Sequence, residues 1–298
     1  ANLDGYTIDL KRLPSDHTEI GASPIKTSHG WLLLYSHIQN YFPGGDGGDR
    51  IFGIEAVLLD LKNPLKIVGR TRSPILVPRE SYELSGHVPN IVFPSGAVLE
   101  KDTLYIYYGA ADTTICMAHI NLTDLLGTIR PETSSRWHFS RSPKNPIITP
   151  DKTHSWEAKA TFNPAALRIR GTTHILYRAL SEDNTSSIGY AKSKNGVSID
   201  ERSADPVYIP REDFELKKIA GGNSGCEDPR LTKIGKTIYM CYTAFDGIGP
   251  PRVAITSITE KNFLQKNWQW EKPIIITPVG FDDKDTCIFP EKTNGKYF

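Results

Sequence analysis

Pro146-Ile147-Ile148-Thr149-Pro150 is a run of β-branched residues held between two prolines. It is one copy of a repeated element. The element recurs as Pro74-Ile-Leu-Val-Pro78, Pro206-Val-Tyr-Ile-Pro210 and Pro273-Ile-Ile-Ile-Thr-Pro278, with starts spaced 72, 60 and 67 residues apart. Between the copies lie apolar runs in similar pairs, 104–109 with 114–118, 174–178 with 188–191, and 238–242 with 252–255. An all-β unit repeated about every 60 residues is the mark of a propeller blade, and 298 residues hold about five of them. The expected fold is all-β, a five-bladed β-propeller forming a single domain over residues 1–298.

The remaining pattern agrees. Strand-like runs at 31–35, 54–59, 91–93, 104–108, 115–120, 174–179, 188–191, 238–242 and 253–258 are mostly bounded by Gly, Pro, Asp or Asn. Helical periodicity is confined to one or two turns at 123–126 and 259–264.

Composition excludes several functions. The chain carries 35 basic and 34 acidic residues with no basic block, which argues against nucleic acid and anionic membranes as partners. Mean hydropathy is −0.35, and no apolar run approaches the roughly 20 residues that span a bilayer. Ala1-Asn2-Leu3-Asp4-Gly5 has neither the charged nor the apolar region of a signal peptide. Cys116, Cys226, Cys241 and Cys287 are far apart and form no C-x-x-C pair, so no metal site is expected. Reduced thiols in a cytoplasmic protein are the simplest reading. A homo-oligomer is compatible with the sequence, which does not specify one.

The stretch with the most chemistry is Gly221-Gly-Asn-Ser-Gly-Cys-Glu-Asp-Pro-Arg230, read as a glycine-rich loop before a strand pair. Glycines let a backbone approach a ligand closely. An acid two residues before an arginine has a tunable pKa. Taken alone, it reads first as a salt-bridged turn before a β-hairpin.

Together with Arg141-Ser-Pro-Lys-Asn-Pro146, Phe162-Asn-Pro-Ala-Ala166, Tyr177-Arg-Ala179, Tyr242-Thr-Ala244, Asp283-Lys-Asp285 and Phe289-Pro-Glu-Lys292, this stretch resembles glycoside hydrolase family 130. That family comprises β-mannoside phosphorylases and β-mannosidases, and its fold is a five-bladed propeller. Gly30-Trp-Leu-Leu-Leu-Tyr35, Pro89-Asn-Ile-Val-Phe-Pro94 and Tyr107-Tyr-Gly-Ala-Ala-Asp112 extend the resemblance over nearly the whole chain. The order departs from the family. Residues 1 to about 128 resemble its C-terminal part and residues from about 137 its N-terminal part, and the family's segment after Tyr297 has no counterpart beyond what 1–12 can supply. A closed propeller tolerates such a circular order.

The resemblance implies roles. Asp228 corresponds to the general acid, reaching the glycosidic oxygen through a sugar hydroxyl, with Glu227 and a closed pocket raising its pKa and Arg230 lowering it. Asn163, Arg178 and Asp112 correspond to contacts of the sugar at the cleavage site; Glu227, Arg230 and Tyr242 are expected with them. Trp156, Trp31 and Tyr242 can stack on sugars, though such aromatics are commonly core. Of the cations that hold phosphate in family phosphorylases, Lys284 is kept; Glu19 stands at a lysine position and Ser36 at a histidine position, with His37 one residue away. Glu19 would repel a phosphate dianion by about 1–4 kcal/mol at ~4 Å. A carboxylate there suits an inverting hydrolase instead, activating water opposite Asp228. The leading expectation is therefore a glycosidase, an inverting β-mannosidase of short β-mannosides. It needs a small oligosaccharide and no cofactor. The alternatives are a phosphorylase using inorganic phosphate through Lys284 and His37, and a non-catalytic sugar-binding propeller.

Overall fold

The computed structural model describes residues 8–41, 50–129, 139–278 and 280–298, so the expectation for 1–5 lies outside the described residues. The chain is mostly β with few helices. The first sheet comprises β1 (His17–Ile20), β2 (Ile25–Thr27), β3 (Gly30–Gln39), β4 (Ile51–Leu59) and β5 (Ile67–Arg70). The second comprises β6 (Val92–Glu100), β7 (Thr103–Ala110), β8 (Thr114–Asn121) and β9 (Ser140–Arg141). The third runs through β10 (Ala160–Ile169), β11 (Thr172–Leu180), β12 (Thr185–Ser193), β13 (Glu201–Arg202), β14 (Ser224–Ile234), β15 (Thr237–Phe245), β16 (Arg252–Thr259) and β17 (Ile274–Ile275). It is two antiparallel groups joined by two parallel residue pairs, Thr185 with Ser224 and Ser186 with Gly225. A Cβ on Gly225 would lie 2.1 Å from the Ser186 carbonyl, so only glycine fits at this seam. The helices are α1 (Ser81–Leu84), α2 (Leu122–Ile129) and α3 (Glu260–Leu264). Thr259 caps α3 by accepting from the Asn262 amide.

The proline-bracketed elements occupy one position four times. Leu76 pairs with Ile54, Ile148 with Ile115, Tyr208 with Ile188, and Ile275 with Ala254. Each copy lies on the outer edge of its group's third strand, where a missing N–H costs no ladder bond. Apolar faces of neighbouring groups bury one another. Leu34, Ile54 and Ile106 fill the space between the first two sheets, Tyr107, Ile175 and Tyr177 the next, and Leu176, Met240 and Tyr242 the third.

A buried glutamate recurs in every group and is not apparent from local sequence patterns. Glu55, Glu83, Glu157 and Glu215 are fully buried. Each accepts from a tyrosine on the adjoining strand: Tyr35 at 2.6 Å, Tyr108 at 2.8 Å, Tyr177 at 2.8 Å, and Tyr242. Arg12, Arg141 and Arg202 neutralise the first three. Buried carboxylates are tolerated only when paired in this way. Tyr108→Phe removes one bond to Glu83 and leaves Arg141 in place, so urea unfolding is expected to show a loss of about 2 kcal/mol.

Candidate active site

Four cavity positions carry backbone strain. Asn163, Asp228, Asp285 and Asp112 have φ of +47°, +51°, +57° and +49°. Left-handed backbone is unfavourable for L-residues and least so for Asn and Asp. The first two sit at register breaks, between Phe162 and Ala165 in β10 and between Glu227 and Arg230 in β14. A bulge re-aims a side chain and accommodates a proline without a ladder donor, which explains Asn163-Pro164 and Asp228-Pro229. The expected loop at 221–230 is thus corrected: β14 begins at Ser224, and the acids lie within a bulged strand.

These bulges face a cavity of about 380 Å³ lined by Glu19, Asp112, Asn163, Arg178, Glu227 and Asp228, together with Lys284 and Asp285. Arg178 holds Glu227 at 2.6 Å and Asp228 at 3.4 Å, and Asn163 donates to Asp228 at 2.9 Å. Lys284 pairs with Glu19 at 2.6 Å. Glu19 is opposite Ser36 in the β1–β3 ladder, so the two positions that depart from the phosphate-binding pattern are neighbours in space. Asn163 Oδ1 and Thr243 Oγ1 are buried at the cavity wall and have no hydrogen-bond partner among the described residues.

The charges are unequal in consequence. Burial alone would raise the Asp228 pKa, but Arg178, Arg230, Asn163 and Lys284 outweigh it and hold Asp228 below the usual carboxylate range. That corrects the expected balance, in which Arg230 stood alone against the other terms. Burial raises Glu227, and the Asp228 charge adds to the effect against Arg178. Burial and the Asp228 charge lift Asp112 to about 7. Burial also lifts Asp285 to about 7, with Asp228 and Glu19 opposing Arg230. Burial works against the Lys284 charge, yet Glu19 and Asp285 keep its pKa above the usual lysine value. The surroundings therefore favour the carboxylate form of Asp228 and the protonated forms of Asp112 and Asp285.

A folded pKa raised above the unfolded value means stability that is present in acid and lost as pH climbs to the folded pKa. For Asp112 that window runs from about 4 to about 7. Asp112→Asn removes the ionised form, so thermal unfolding should show a higher Tm than the parent at pH 8 and little difference at pH 4.

Not every expected site residue reaches the cavity. Tyr242 is buried and bonds Glu215 and Tyr208; its neighbour Thr243 faces the cavity instead, because alternate residues of a strand face opposite ways. Ile238, Met240 and Tyr242 already shared one apolar face in the sequence. Arg230 is buried, bonding main-chain carbonyls and Asp285, and is no substrate contact. His37 is buried between Asp16 at 3.0 Å and Glu55 at 3.4 Å and does not line the cavity. Trp31 packs on Phe289, and the Trp156 indole donates to Ala204. Asp285, Thr243 and Arg50 are cavity residues that the sequence reading did not single out.

Other expectations can be placed. None of the four cysteines is paired. Asp151, His154 and Glu157 put donor atoms within 4.8 Å of one another, but His154 Nδ1 is shared with Glu157, whose other oxygen is held by Tyr177 and Arg202. No helix among the described residues is long and apolar enough to cross a membrane.

A family model described as beta-1,4-mannooligosaccharide phosphorylase matches residues 15–131 and 138–298. Curated relatives include a 1,2-beta-oligomannan phosphorylase of Thermoanaerobacter sp. (strain X514), 38% identical over 120 residues, which are 39% of this chain and 38% of the relative. A beta-1,2-mannobiose phosphorylase of the same organism is 42% identical over 113 residues, 36% of this chain and 35% of the relative. The matches thus span less than two-fifths of those relatives' length. A solved glycoside hydrolase shares the fold with a TM-score of 0.65 at 13% identity, over 98% of this chain and 85% of that one. Because the family model covers both halves of the sequence, interrupted only between 131 and 138, the chain belongs to glycoside hydrolase family 130, a family of glycoside-active enzymes.

Proposed function

We propose that this chain is a five-bladed propeller enzyme that cleaves β-mannosidic bonds of short β-mannosides by inverting hydrolysis. Asn163, Arg178 and Asp112 hold the sugar, Asp228 serves the leaving oxygen, and Glu19 activates water. The observation that carries this reading is Glu19 itself, a carboxylate in the same cavity as Asp228, at a position where the family's phosphorylases have a cation. Inversion needs an acid and a base across the sugar, with room for water between them. Five carboxylates (Glu19, Asp112, Glu227, Asp228, Asp285) surround that space, and Lys284 and Arg178 are already paired with four of them. Asp112 and Asp285 titrate near neutrality, so the cavity holds a proton that Asp228 can relay through a sugar hydroxyl. For the ring, four strand groups account for most of the described chain, and residues 281–298 pack between β14 and the first sheet, with Thr232 donating to Ile288 and Phe289 on Trp31.

Phosphorolysis is the second reading. The named phosphorylase relatives favour it, and so does the presence of Arg50 and Lys284 on the cavity wall. One assay separates the two: β-1,2- and β-1,4-mannobiose in phosphate-free buffer and with added phosphate. Release of α-mannose without phosphate supports hydrolysis. Turnover that appears only with phosphate and yields mannose 1-phosphate overturns it. If neither occurs while mannose still binds, the protein is a sugar-binding propeller.

A further inference from the structure

Arg230 is 1% exposed, and its environment is unusual for a buried cation. Its Nε donates to the Gly21 carbonyl at 2.6 Å. Nη1 donates to the carbonyls of Asp228 at 3.0 Å and Pro229 at 3.3 Å. Nη2 donates to the Ile20 carbonyl at 3.2 Å and to Asp285 Oδ1 at 3.0 Å. The guanidinium also lies 5.5 Å from the Phe93 ring centroid, on the second sheet. A guanidinium has five N–H groups in a rigid planar fork, and here every one is engaged.

The segments it joins are those that carry the proposed chemistry. Ile20 follows Glu19, Asp285 follows Lys284, and Asp228 is bonded through its own carbonyl. The end of β1, the β14 bulge and the irregular segment of Asp285 are far apart in sequence, and ladder pairing does not fix their mutual distance. Gly21 lets the end of β1 lie tightly against the second sheet, since a Cβ there would be 2.3 Å from the Pro94 carbonyl.

We infer that Arg230 is a positioning residue that sets the separation between the Asp228 and Glu19 carboxylates, and so the space open to the attacking water. The inference rests on the reading of Glu19 and Asp228 given above. Lysine at this position keeps the charge beside Asp285 but has three donors and no fork, so it cannot hold all three segments in register. A displacement of about 1 Å at reacting groups costs about 100-fold in rate.

The test is Arg230→Lys, checked for folding by near-UV circular dichroism and thermal unfolding. Its kcat on mannobiose is expected to fall about 100-fold. Its KM and its dissociation constant for mannose should stay within about 3-fold, because Asn163 and Arg178 are untouched. Its crystal structure should show an altered Glu19–Asp228 separation. A purely structural arginine would lower Tm and leave kcat per folded molecule unchanged; that result overturns the inference. If the lysine variant does not fold, Arg230→Gln is read in the same way, and failure of both to fold makes Arg230 a folding residue and ends the proposal. If the parent cleaves no β-mannoside with or without phosphate, the functional reading fails separately. The carboxylate separation in the variant then decides, and an unchanged value overturns the positioning role.

Discussion

Asp228→Asn is expected to lower kcat on β-mannobiose about 1,000-fold, or about 4 kcal/mol of transition-state stabilisation. The substitution keeps the size of the side chain and an oxygen for the Asn163 amide, now 2.9 Å away. It removes the carboxylate placed both at the bulge apex and against Arg178. Mannose affinity should change little, since Asn163 and Arg178 are retained. The loss should also depend on the leaving group. An aryl mannoside whose phenol departs without a proton should lose far less than mannobiose, and that contrast in initial rates is the measurement that assigns proton delivery to Asp228. Equal losses on the two substrates would assign it a binding or electrostatic role, in keeping with the depressed pKa that Arg178 and Arg230 give it.

Glu19→Ala gives opposite outcomes for the two reactions. If Glu19 activates water, hydrolysis should fall about 100- to 1,000-fold. Azide, a nucleophile that needs no base, should then restore turnover and form the mannosyl azide of inverted configuration. If phosphate is the nucleophile, removing the carboxylate relieves a repulsion of about 1–4 kcal/mol at ~4 Å and frees Lys284, so phosphorolysis should rise. Rates with and without phosphate, on the same variant, give the sign directly. The lysine is held by Glu19 at 2.6 Å in the parent, so its release is also visible as a lowered lysine pKa.

Much of the molecule was legible before folding. All nine apolar runs fall in or beside observed strands, and both helical stretches became helices. The proline-bracketed repeat marked one edge position four times because proline is confined to sites where a ladder donor is not needed. Asp228, Glu19, Asn163, Arg178, Glu227, Asp112 and Lys284 all converge on one cavity. These residues could be named early because the motifs around them resemble the family, Glu19 by standing where that resemblance departs.

What sequence alone determined, then, is the mostly-β character, the nine apolar strand runs and two helical stretches, and the residues that bring charge to the cavity, but not β10, β14 or the bulges within them. The choice between Tyr242 and Thr243 was also within reach, since alternation along β15 decides it. The use of Arg230 and His37 was not. Arg230 is satisfied by carbonyls from residues 20 and 21 and by Asp285, and His37 lies between acids from positions 16 and 55. Such partners are separated by tens to hundreds of residues, and no local pattern encodes them. The same holds for proton location: Asp112, Asp228 and Asp285 are one residue type, and only their burial and the cations facing them hold Asp228 ionised while Asp112 and Asp285 titrate near 7. A carboxylate's charge state is a property of its surroundings, which tertiary structure alone supplies.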